Sequence, residues 1–180
     1  MAALQSARGP VRLRAAKALR LMSAETPELL YPDFEFFAGL LDHENLILRW
    51  NALLTIAHLA RVDMESKIEG ILDQYLSVIR GPNMISAANA IHGAAIIGTA
   101  RPGLIPRIIA GILRVERARY ATPECRNVAI GHALDAFAAL APLVENPRPL
   151  HLFAARQLQN PRASTSARAR KLLKSRAVAV

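Results

Sequence analysis

The chain has 180 residues, a mass of 19.6 kDa, 52% hydrophobic and 5% aromatic residues, and a formal net charge of +9. That length suits one domain or a short repeat array, able to bury roughly 70% of its unfolded surface without a metal or a disulfide framework. A single cysteine, Cys125, points to a reducing, cytoplasmic setting, and no apolar run is long enough to cross a bilayer, which leaves no membrane role.

Residues 1–9 read as a flexible start, and Pro10 to Ser23 as a helix with proline in its first turn. This Arg-rich, acid-free segment also fits a mitochondrial transit peptide, but its alignment with the repeats below favours a structural helix. After a break at Pro27, a helix is predicted to run to about Leu41, with Pro32 near its start. Asp42 to Asn45 turns the chain, and Asn45 is the expected cap of a helix ending near Arg61. Asp63 is expected to cap Met64 to Ile79, and Asn83 to cap Met84 to about Gly98. Pro102-Gly103 precedes a helix ending near Glu116. Thr122-Pro123-Glu124 has the form of a cap, a first-turn proline and a first-turn acid, opening a helix to about Leu140. A loop from Pro142 to Pro149, a short helix to about Leu158, and a last helix to about Ser175 complete the chain. No segment alternates with period two, so the protein is expected to be all-α. One domain should cover residues 10–176, with a short tail at 177–180.

Charge is unevenly spread. Residues 1–24 carry five basic groups and no acid, residues 25–73 sum to −7, and residues 117–180 sum to +8. A basic head and tail thus flank an acidic middle, unlike the continuous basic stripe of a protein that tracks a phosphate backbone.

The helices repeat. Arg49-Trp50-Asn51-Ala52 aligns with Arg126-Asn127-Val128-Ala129, and Arg12 precedes Arg49 by 37 residues. Ala87 and Ser166 fill the same slot, so second helices recur at steps of 37, 38, 39 and 40 residues. A period near 40 built from two helices marks an α-solenoid.

The stretch from Leu29 to Ala60 resembles a HEAT repeat. Pro32 stands in the first helix, Asp42 in the turn, and Ile47 and Arg49 open the second helix, as in that family's pattern. The likeness extends over nearly the whole chain, with Arg80, Ala87 and Ser166 departing from it. It implies a right-handed α-solenoid of antiparallel helix pairs, about nine helices in all, with one unpaired N-terminal helix before four pairs. It further implies that Arg49 and Arg126 form a structural ladder to the turn aspartates, and that second helices line a concave face where partners bind. The polar residues interrupting those helices are then the candidate contacts: Trp50, Asn51, Thr55 and His58, then Asn89 and His92, then Asn127, His132 and Asp135. Trp50 is read equally as a hot spot or as a packing residue.

Enzymatic readings find little support in the sequence. His132 and Asp135 share a helical face, but no second pair completes a metal site. His43-Glu44 is one His-Glu pair, where the deoxyhypusine hydroxylases, which also have HEAT-like repeats, depend on several. Cys125 is expected to be a buried, inert thiol. No phosphate loop or nucleophile elbow is present. The reading is therefore a non-enzymatic interaction module without a cofactor, binding another protein or a peptide. The alternative is a nucleic-acid-binding protein, with a remote resemblance to DNA glycosylases for alkylated bases that would use Asp135 near Phe137.

Overall fold

A computed structural model describes Leu4 and residues 8–174. Among these there are nine α-helices and no strand: α1 Gly9–Glu25, α2 Phe34–Gly39, α3 Leu46–Leu59, α4 Lys67–Ser77, α5 Met84–Ala100, α6 Ile105–Leu113, α7 Pro123–Leu140, α8 Arg148–Arg156 and α9 Ala163–Lys174. No described helix is long and apolar enough to cross a membrane.

Three of the expected caps form. The Asn45 side chain accepts from the backbone N–H of Ile47 and Leu48, Asn83 from Ser86, and Thr122 from Cys125. Each satisfies donors that a helix start would otherwise leave bare. The even-numbered helices are shorter than expected. The segment before Leu41 is broken into 3-10 turns at Tyr31–Asp33 and Leu40–Asp42 around the six residues of α2. Helix α4 starts at Lys67 rather than Met64, because Ser66 takes a left-handed conformation with φ of 57°. Asp63 still caps this helix, its carboxylate reaching the N–H groups of both Lys67 and Ile68 from outside the first turn.

The odd helices pack in succession, α1 on α3, α3 on α5, α5 on α7 and α7 on α9; α2, α4, α6 and α8 pack behind α3, α5, α7 and α9. The core lies between the two layers. Phe34 and Phe37, Leu53 and Ile56, Leu72 and Tyr75, and Ile91 and Ala94 are all buried in it. Ile108 and Ile112 follow, and Phe137 meets Phe153 edge-on at 5.1 Å. Helix α5 has neighbours on most sides and is accordingly small and apolar nearly all round, with Ala87, Ala90, Gly93, Ala94 and Gly98 buried.

The side-chain bonds between elements far apart in sequence are regularly spaced. Among the described residues they join positions 31 to 41 apart, from Arg20 with Asn51 to Tyr120 with the Ile79 carbonyl. The exception is the Tyr75 hydroxyl, which donates to the Leu53 carbonyl 22 residues earlier. Each segment is thus bonded to the segment one period away.

The N-terminal and C-terminal expectations fall largely outside the described residues. Leu4 is buried and Gly9 already belongs to α1, so these two positions depart from the expected flexible start. The tail at 177–180 is not described.

Candidate partner-binding face

One open stripe runs down each of three odd helices. On α3 it is Ile47, Asn51, Leu54 and His58; on α5, Ile85, Asn89, His92 and Ile96; on α7, Val128, His132, Asp135 and Ala139. The spacing of four, three and four residues places each set on one helical face, while the opposite faces are buried. Six of the nine sequence-predicted contacts therefore stand on these stripes.

Several of them are already engaged. Asn51 donates to the Ile47 carbonyl at 2.8 Å and accepts from Arg20 Nε at 3.1 Å, tying α3 to α1. Asn89, 38 residues on, folds back in the same way onto the Ile85 carbonyl at 2.9 Å. His58 Nδ1 lies 2.9 Å from Ser23 Oγ, across the same α1–α3 seam. His132 stands half-buried beside Arg168, and Asp135 pairs with Arg168 Nε at 3.2 Å. His92 is exposed and lies between the other two histidines, close enough for each to feel its charge.

The electrostatics around His58 and His132 disfavour their protonation. Burial, then the nearby Arg61 and Arg20, hold the His58 imidazole below the ordinary histidine range. Burial and then Arg168 do the same to His132, with Asp135 opposing them. His58 and His132 are thus both disfavoured as cations, with arginines on α1 and α9 close by.

The remaining three predicted residues do not stand on the stripes. Thr55 is 1% exposed and faces the core, where it offers a partner nothing. Trp50 is half-buried at the α3–α5 seam, its indole N–H donating to Ser86 Oγ at 2.8 Å. Asn127 lies at the α7–α9 seam, accepting from Asn160 at 3.3 Å on its side chain and from Thr165 on its carbonyl. The indole thus joins α3 to α5, and Asn127 joins α7 to α9 and to the turn before it.

The arginine contacts also differ from expectation. Arg49 donates from Nε and Nη2 to the His43 carbonyl, so it braces its own turn through the backbone. Asp42 instead accepts from Gln74 at 2.7 Å. Arg126 is exposed and has no ion pair among the described residues. The role expected of these arginines falls to others. Arg101 pairs with the buried Asp63 at 3.2 Å, Arg156 with Glu116 at 2.7 Å, and Arg162 with Glu124.

Cys125 is half-buried rather than buried, and lies 3.2 Å from Thr122 Oγ1. Phe137 points into the core against Phe153, not toward Asp135. Among the described residues no group of three or more His, Cys, Asp or Glu side chains is placed to hold a metal ion. Arg20 and Ser23 were not singled out from the sequence, and Arg168 was read there only as a solvated charge on the last helix. The one signal for Arg20 is position, one turn beyond Lys17.

The chain matches no protein-family model and no curated protein.

Proposed function

We propose that the chain is a small right-handed α-solenoid, one N-terminal helix followed by four HEAT-like antiparallel pairs, and that it acts as a non-enzymatic protein-interaction module. The observation that carries the reading is the set of parallel open stripes on α3, α5 and α7, which mix apolar and polar side chains. The bonding of each segment to the one a period away supports the solenoid part of the reading. A preformed surface of this kind orders little on binding, which favours recognition of an extended or helical partner segment.

The test is affinity capture from native lysate by the wild-type chain and by an Asn89→Glu/His92→Glu variant, with and without nuclease. The reading expects a protein that survives nuclease, is retained by the wild type and is lost at least tenfold from the variant, whose helicity is unchanged. Recovery that vanishes with nuclease, or falls steeply with salt, would instead place nucleic-acid binding first.

A further inference from the structure

The stripes do not say what kind of partner approaches them, but the first seam does. Between α1 and α3 lies an open cleft of about 430 Å³, lined by Leu13, Arg14, Lys17, Arg20, Ile47 and Asn51. It lies beside the open stripe of α3, with which it shares Ile47 and Asn51.

Its charge is uncompensated. Elsewhere several arginines find carboxylates: Arg101 with Asp63, Arg107 with Glu69 and Asp73, Arg156 with Glu116, Arg162 with Glu124 and Arg168 with Asp135. Around the cleft no described cation does. No carboxylate among the described residues pairs with Arg14, Lys17 or Arg20, and the sequence holds no acid before Glu25. Arg14 and Lys17 are exposed, while Arg20 is held in place by Asn51. Fixing one guanidinium lowers the ordering cost of an incoming carboxylate.

The cleft is also apolar. Leu13 is half-buried, Ile47 is 40% exposed, and Leu21, one turn beyond Lys17, is 49% exposed. A phosphate backbone presents no group for these side chains. A helix with acidic residues on one edge and leucine-like residues on its face presents both.

We infer that the α1–α3 cleft is the docking site for an acidic amphipathic segment of a partner protein. The inference rests on the interaction-module reading and names the chemistry of its partner. Carboxylates of the segment meet Arg14, Lys17 and Arg20, and its apolar face covers Leu13 and Ile47. The two ends of the chain are both basic, so end-to-end stacking of copies is repelled.

The test uses a fluorescein-labelled synthetic peptide of glutamate and leucine at helical spacing, titrated with the full chain and read by anisotropy. Wild-type protein is expected to bind it, and raising the salt to weaken the complex. Arg14→Glu/Lys17→Glu should weaken binding at least tenfold, and Arg14→Gln/Lys17→Gln by less. Arg170→Glu/Lys171→Glu, on exposed positions of α9, should leave it within about twofold. Exposure of all four positions keeps these variants folded, which circular dichroism checks. Three results would overturn the proposal. One is no binding to the wild type, or equal loss from the α1 and α9 variants. Another is tighter binding of a duplex oligonucleotide at the same cleft. The third is a self-associated species that Arg14→Glu/Lys17→Glu abolishes. Failure of the peptide alone removes the acidic-partner assignment, while the α5 variant in affinity capture judges the module reading separately.

Discussion

Gly93 shows how closely the odd helices approach. A Cβ built there would lie 2.0 Å from the Tyr75 hydroxyl oxygen and 3.1 Å from Ala57 Cβ. Tyr75 is fully buried and its hydroxyl donates to the Leu53 carbonyl at 2.9 Å, so it cannot withdraw without orphaning that bond. Gly93→Ala is therefore expected to cost about 3 kcal/mol through overpacking and loss of this contact. Removing the obstructing oxygen with Tyr75→Phe in the same chain should recover part of that loss. Chemical denaturation of the two single variants and the double variant reads the coupling, and strict additivity would contradict the geometry.

The histidine row makes a second prediction with a definite sign. His58 and His132 have folded-state values below the ordinary 6.5, so the unfolded chain takes up protons first as pH falls. Their contribution is neutral above about 6.5 and becomes destabilising below it, growing until the lower folded values are passed. The facing groups are Ser23, Arg20, Arg61 and His92 around His58, and Arg162, Arg168, Asp135 and His92 around His132. Thermal melts should show the midpoint falling between about pH 7.5 and pH 5.5, with a shallower fall in His58→Gln/His132→Gln. Equal slopes in both proteins would show that the imidazoles are not disfavoured as cations.

At the level of elements, the odd helices were well legible and the even ones less so. Asn45, Asn83 and Thr122 each cap a long helix whose apolar run makes its extent plain, and α7 ends at Leu140 as expected. The even segments carry proline or glycine within a few residues of their ends, and their backbones tighten into 3-10 turns that periodicity does not distinguish from α-helix. Asp63 shows what local pattern misses. It caps α4 from four residues upstream while its buried carboxylate also accepts from Tyr31 at 2.7 Å and pairs with Arg101. One side chain thus joins the turns following α1, α3 and α5. Asp63→Ala should cost about 3 kcal/mol, because it bares two helix-start N–H groups and leaves Arg101 without its carboxylate. In a chain of this size that is a drop of roughly 6–12 °C in the melting midpoint, measurable by calorimetry. A change under about 1 kcal/mol would mean the hub is dispensable.

At the scale of the molecule, the proposed solenoid would be a quasi-linear assembly in which the middle is supported on both sides and the ends on one. Helix α5 packs against α3 and α7, whereas α1 and α9 each have one odd neighbour. Native-state hydrogen exchange should therefore find α5 the slowest and α1 and α9 the fastest to exchange. Uniform protection would point to a single cooperative unit instead. The candidate face was legible in part because polar residues interrupting an apolar helix stand out in sequence. Asn51, His58, Asn89, His92, His132 and Asp135 were found this way. Whether such a residue faces solvent, core or a neighbouring helix depends on rotations of a few tens of degrees. That is why Thr55 fell to the core, and Trp50 and Asn127 to the seams.

The central claim is that a partner protein covers the open stripes of α3, α5 and α7. Its most direct measurement is diethylpyrocarbonate modification of the histidines, mapped by mass spectrometry on the free chain and on its captured complex. The account predicts that exposed His92 is modified in the free chain and protected in the complex, while His43, in the turn before α3, is modified equally in both. Unchanged modification of His92, with protection at His43 or elsewhere, would contradict it.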